Sequence, residues 1–197
     1  EAEGRLPKIV IPVHFSGRSC NMFEIRELSD RYGFQILEDA SHAIGGGYLG
    51  EPIGRCRYSD AAVFSFHPVK IITTGEGGMV VTNDGDMAVH MARLRSHGIT
   101  REESLMDKTA DGPWYYQQIE LGFNFRMTDI QAALGLSQLR RLDSNVARRR
   151  ALADRYDRLL ADLPVVVPQR DPKAHSAFHL YVIRVPGRDA GCGRKEL

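Results

Sequence analysis

Short apolar runs alternate with stretches of helical period along the first half of the chain, and this alternation restricts the fold to a sheet covered by helices. Lys8-Ile9-Val10-Ile11-Pro12-Val13 predicts a strand over 8–13, with further strands near 35–38, 60–65 and 79–82. Met22, Ile25, Leu28 and Tyr32 recur at helical spacing and predict a helix near 20–32. Asn83-Asp84-Gly85 is a turn signal, followed by a helix carrying Met87, Met91 and Leu94 on one face. Residues 100–120 are polar, include Gly112-Pro113, and read as a long loop of the kind that is usually functional or disordered. Thr128-Asp129-Ile130-Gln131 is a capping-box pattern. It opens a long helical stretch whose apolar stripe runs on through Leu142, Val146, Ala153, Tyr156 and Leu160, with Arg149 on the same side. Val165-Val166-Val167 and Leu180-Tyr181-Val182-Ile183 are expected as short strands. The fold class is therefore α/β, a mostly parallel sheet with flanking helices.

Two loops of this frame carry chemistry. Gln35-Ile36-Leu37-Glu38-Asp39 ends in a carboxylate, and ligands of open α/β sheets sit at the carboxyl ends of the strands. The second loop runs from Ser65-Phe66-His67-Pro68-Val69-Lys70 into Thr73-Thr74-Gly75-Glu76-Gly77-Gly78. The other lysines are Lys8, before a strand, and Lys108, Lys173 and Lys195, in loop or terminal contexts; Lys70 alone lies between apolar strands. Burial there disfavours the charged form and frees the amine, whereas arginine cannot deprotonate near neutral pH. An amine that can form a Schiff base, with a carboxylate to hold a pyridine nitrogen protonated, is what pyridoxal phosphate chemistry needs. Alone, Asp39 reads more readily as a turn or helix cap, and Lys70 equally as a surface residue on a loop.

Composition limits the partners. With 43% hydrophobic and 26% charged residues the chain is of ordinary globular make-up. A formal charge of +1 gives no electrostatic reason to expect nucleic acid or an anionic membrane. The basic cluster Arg148-Arg149-Arg150 reads as a solvated helix face. Cys20, Cys56 and Cys192 are odd in number and lack metal-ligand spacing, which suits a reducing compartment. With no apolar run of membrane-spanning length and no signal-peptide pattern, the chain is expected in the cytoplasm. His175 and His179 stand four apart, but no third ligand is evident, so no metal is expected. His179 is expected to line the substrate pocket.

The runs Glu38-Asp39-Ala40-Ser41-His42-Ala43-Ile44-Gly45, Phe64-Ser65-Phe66-His67-Pro68-Val69-Lys70, Gly75-Glu76-Gly77-Gly78 and Gly122-Phe123-Asn124-Phe125-Arg126-Met127-Thr128-Asp129 resemble, in order, the DegT/DnrJ/EryC1/StrS family of sugar aminotransferases. The resemblance implies a fold-type-I transferase dependent on pyridoxal 5′-phosphate. It makes residues 1–136 a partial large domain that binds the cofactor, and 137–197 a linking helix with part of a small α+β domain. It also makes Lys70 the lysine bonded to the cofactor and Asp39 the partner of the ring nitrogen. His42 falls beside the cofactor's phenolic oxygen, Ser65 at its phosphate, and Asn124 at the phosphate of a neighbouring subunit in a homodimer. Local readings stay open: His42 as a cap, Ser65 as a strand-end partner, Asn124 as a turn residue.

Leu94-Arg95-Ser96-His97-Gly98-Ile99-Thr100-Arg101 and Gly112-Pro113-Trp114-Tyr115-Tyr116 further resemble members acting on UDP-linked keto sugars of the pseudaminic acid route, with L-glutamate as amino donor. Relatives that dehydrate sugars carry histidine at the lysine position, so Lys70 favours transamination. Family members are nearly twice this length. The chain is thus expected to be a central fragment without the helix N-terminus that cups the phosphate, and either a weak binder of cofactor or a non-catalytic remnant.

Overall fold

The structure, a computed structural model, describes residues 4–186. In chain order the elements are β1 (Ile9–Val10), α1 (Met22–Tyr32), β2 (Gln35–Asp39), β3 (Gly47–Tyr48), β4 (Glu51–Pro52), β5 (Ala61–Ser65), β6 (Gly78–Val81) and α2 (Gly85–Leu94). They continue with β7 (Ile99–Thr100), β8 (Gln117–Gln118), α3 (Asp129–Leu139), α4 (Leu142–Leu159) and β9 (Ala174–His175).

The main sheet has the order β1-β2-β5-β6. β1, β2 and β5 run parallel, and β6 returns antiparallel to β5 with Ser65 opposite Gly78. The loop between these last two strands, which carries Lys70, therefore leaves and re-enters the sheet at one end. Asp39 closes β2 beside Val63 of β5 and also bridges in parallel to Val13. The carboxyl ends of the parallel strands thus gather the 13–17, 39–42 and 65–77 loops.

Alternation places Ala40, Ala43, Phe64, Phe66 and Ile72 in one buried cluster under these loops. Met22 of α1 packs with Phe34, Ile36 and Tyr48 on the other side of β2. A third cluster joins Ile71, next to Lys70, to Val146 of α4 and Ala177. Antiparallel pairing of β9 with β3, Gly47 opposite His175, brings the 174–180 segment back over the loop that follows β2.

Helix ends follow the local code. Gly33 takes the left-handed φ of 75° that terminates α1, and Asp84 caps α2 by accepting from Met87 N–H at 3.0 Å. The expected capping box at Thr128 and Gln131 is formed on both sides, and Gln131 Nε2 also donates to Glu76 O at 3.1 Å, tying α3 to the glycine-rich loop.

Three expectations change. The long helix is two, α3 and α4, because Arg141 leaves helical geometry at ψ 4°. The strands expected at 165–167 and 180–183 reduce to one bridge between Val166 and Arg184. The 100–120 loop is pinned at its ends by the β7–β8 pair and contains a 3-10 turn at Glu103–Leu105. Among the described residues no helix is long and apolar enough to cross a membrane.

Candidate active site

Lys70 sits on a tight turn in which its own N–H donates to His67 O at 2.9 Å. The two residues that follow, Ile71 and Ile72, are buried in separate clusters, so the lysine backbone is anchored while its side chain stays half-exposed. Phe66 O receives the Thr74 N–H at 3.0 Å and the Thr73 hydroxyl at 2.9 Å, which closes the loop behind it. Gly77 is obligatory here, because a Cβ would collide with the Thr74 hydroxyl and Met127. Ser65 lies at the root of the same loop, and its Oγ accepts from His67 N–H at 3.4 Å.

Asp39 is held through its backbone on both sides. Its N–H donates to Pro12 O at 2.9 Å and its carbonyl accepts from His14 N–H at 3.0 Å. Oδ1 accepts from Ser41 N–H at 3.0 Å. Burial works to raise the carboxyl, but hydrogen bonds from Ser41 and the charges of His42 and Lys70 outweigh it and hold the group below the ordinary carboxylate range.

His42 accepts the Ser16 N–H at Nδ1 (3.3 Å), and its ring lies 4.4 Å from that of His179, centroid to centroid. Burial, and then the charge of Lys70, depress its pKa against the pull of Asp39. His179 is 9% exposed, and its Nδ1 is buried with no hydrogen-bond partner among the described residues. Burial first, then His42, Lys70 and Arg149, push it down to about 4, so the ring is neutral.

The charge of Lys70 bears on Asp39, His42 and His179, and the rings of the last two are in contact. Asn124 is not among them. It is exposed and forms a backbone bridge to Ser96.

Sequence reasoning missed two supports of this cluster. Ser16, at the left-handed φ of 59°, gives its N–H to His42 and its carbonyl to Leu180 N–H at 3.3 Å. Nothing local to Ser16 announces this role. Arg149 Nη1 donates to Phe178 O (3.2 Å) and His179 O (3.1 Å), and Arg150 Nη1 to Ser176 O (3.3 Å). Arg149 and Arg150 are therefore half-buried carbonyl clamps, which corrects the reading of 148–150 as a solvated face. The available signal was the position of Arg149 on the side of Val146 and Ala153, both buried. Among the described residues no group of three or more His, Cys, Asp or Glu side chains is arranged to hold a metal ion.

The fold is that of the fold-type-I transferases that use pyridoxal phosphate, an α/β architecture shared with solved relatives. The chain belongs to the DegT/DnrJ/EryC1/StrS aminotransferase family, whose model matches residues 3–197. It is 39% identical over 191 residues to the spore coat polysaccharide biosynthesis protein SpsC of Bacillus subtilis, covering 96% of this chain and 48% of that one. Helicobacter pylori PseC, an aminotransferase involved in the biosynthesis of pseudoaminic acid, superposes with a TM-score of 0.82 at 34% identity, over 92% of this chain and 46% of PseC. The PLP form of Spr1654 from Streptococcus pneumoniae gives a TM-score of 0.76 at 31% identity, over 91% of this chain and 48% of that one. The chain spans about half the length of the curated relatives it matches.

Proposed function

We propose that this chain carries the lysine-bearing face of a sugar aminotransferase that uses pyridoxal 5′-phosphate. The amine passes from L-glutamate to C4 of a UDP-linked 4-keto-6-deoxy hexose, giving UDP-4-amino-4,6-dideoxy-N-acetyl-β-L-altrosamine on the pseudaminic acid route. The observation that carries the reading is the Asp39 carboxylate at the strand end, held ionised by the Ser41 hydrogen bonds and, after them, by the charges of His42 and Lys70. The donor set suits the cofactor: an amine on an anchored turn, an ionised acid at a strand end, a hydroxyl at Ser65, and a buried imidazole nitrogen at His179 without a partner among the described residues. The likeness to PseC supports the choice of sugar, and the reaction is assigned to the cytoplasm.

When bound, pyridoxal phosphate supplies an electron sink that lets a C–H bond beside the amino nitrogen break. The Lys70 amine would hold the cofactor through its aldehyde and, when free, would serve as the group that moves the proton at the donor carbon. Asp39 retains the proton on the ring nitrogen. Ser65 would offer its hydroxyl to the phosphate, and His42 would serve the phenolic oxygen. His179, neutral, faces the substrate side. Asn124 reaches a second copy of the chain in a homodimer. The strongly exposed Leu121 (79%) and Ile130 (84%) and the stacked Phe123–Phe125 pair around it support such a partner.

Borohydride reduction after addition of pyridoxal phosphate, followed by peptide mass mapping, tests the reading. A reduced adduct confined to Lys70 is expected. An adduct spread over surface lysines, or none, would leave a non-catalytic remnant as the better account.

A further inference from the structure

We propose that His14 is a positioning residue: its buried contact with Glu38 holds the Phe15–Gly17 turn so that Ser16 N–H fixes His42 as a neutral ring with its proton on Nε2. The inference rests on the reading of His42 as part of the cofactor face.

His14 is completely buried (0% exposed) and takes no part in the chemistry above. Its Nε2 lies 2.6 Å from Glu38 Oε2, and the Ser59 hydroxyl donates to the other carboxylate oxygen. Glu38 and Asp39 are successive residues of β2, so their side chains leave opposite faces of the strand. His14 holds the strand end at two points: its ring meets the Glu38 carboxylate, and its backbone N–H donates to the Asp39 carbonyl.

The chain turns directly after His14. Phe15 N–H returns to Val13 O (2.8 Å) and Gly17 N–H to His14 O (3.1 Å). Gly17 must be glycine, since a Cβ at its φ of 102° would meet the Phe178 backbone nitrogen at 2.8 Å and His42 O at 3.0 Å. Ser16 is thereby held in the left-handed region, which non-glycine residues seldom adopt. That conformation aims its N–H at His42 Nδ1. A ring nitrogen that accepts a backbone N–H has no lone pair left for a proton, so the ring proton of His42 resides on Nε2.

The state of His14 follows from the same logic. Burial opposes a charge on the ring, but the hydrogen bonds and charges of the Cys20 and Glu38 side chains outweigh it and raise the group to about 9. The Cys20 N–H, however, points at Nδ1 from 3.2 Å, and a second ring proton would confront that donor. The neutral ring, donating from Nε2 to Glu38, satisfies every partner. The charged and titratable groups facing His42 itself are Asp39, Lys70 and His179.

Ring-nitrogen ¹H–¹⁵N spectra of the cofactor-free chain test the proposal. In the wild type His42 is expected to show an unprotonated, accepting Nδ1 and a titration midpoint below 6.5. His14→Ala is expected to move that midpoint upward and the two ring nitrogens towards averaged shifts. His14→Gln, which can accept from Cys20 N–H and donate to Glu38, is expected to restore the wild-type pattern. A purely structural role would lower the denaturation midpoint of His14→Ala without altering His42 in the folded form, and that result overturns the proposal. So does a wild-type His42 protonated on Nδ1. Should His14→Ala fail to fold, Ser59→Ala loosens Glu38 more gently; a smaller shift of His42 in the same direction is expected, and no shift overturns the inference. Failure of the cofactor chemistry would appear as a missing Lys70 adduct and would leave these spectra unchanged.

Discussion

Replacing His179 by leucine is expected to flatten the acid limb of the protein's stability curve. His179 is 9% exposed and held near pKa 4 in the folded chain, against 6.5 when unfolded. Above pH 6.5 the ring is neutral in both states and contributes nothing to the pH dependence. As pH falls below 6.5 the unfolded chain takes up a proton that the folded chain refuses, so stability drops until about pH 4, where both are protonated. The gap corresponds to at most about 3 kcal/mol, at roughly 1.4 kcal/mol for each tenfold in proton affinity. His42 and His175 are depressed as well, and they act in the same direction in wild type and variant alike. Asp39, also depressed, acts in its own lower window: its contribution is present above its unfolded pKa and is lost as pH falls through the folded one. Because the His42 ring lies 4.4 Å away, the difference between the proteins reports His179 together with its coupling to His42. Urea unfolding at intervals from pH 7.5 to 4 is the assay, and wild type should lose up to about 3 kcal/mol more than His179→Leu across that range. Parallel curves would refute the argument that burial and the charges of Lys70 and Arg149 keep this ring neutral.

Asp39→Asn should still give a borohydride-reducible Lys70 adduct in a family-length enzyme but turn over far more slowly, because an amide cannot retain the ring-nitrogen proton; unchanged turnover would exclude Asp39 from that role. Arg149→Ala removes both carbonyl clamps on Phe178 and His179 and should destabilise by about 1–3 kcal/mol, while the His179 midpoint, followed by NMR, rises. Thr128→Ala deletes the capping box of α3 and should lower stability by about 1 kcal/mol in urea titrations. Phe125→Asp, on the exposed face around Asn124, should shift sedimentation towards monomer with the circular dichroism spectrum unchanged; an unaltered sedimentation profile would argue against that face as a subunit contact.

Much of the frame is readable residue by residue because its determinants are local. The apolar run ending at Asp39, the helical spacing from Met22 to Tyr32, and the Thr128–Gln131 box each satisfy backbone and burial needs within a few positions. Periodicity misjudged the 128–160 stretch, since the apolar stripe continues across Arg140 and Arg141 while the backbone breaks there. The valine-rich 165–167 run failed as a strand because its partner residues pair at one position only.

The chain by itself supplied the reactive groups and their loops: Lys70 between apolar strands, Asp39 at a strand end, and His42 three residues on. Tertiary structure decided their state. The Ser16 N–H on His42, the His14–Glu38 grip behind Asp39, and the Arg149 clamp over His179 join residues 24 to 30 positions apart. Burial and charge at each ring depend on what packs against it across that distance, and no spacing rule within a short window contains that information.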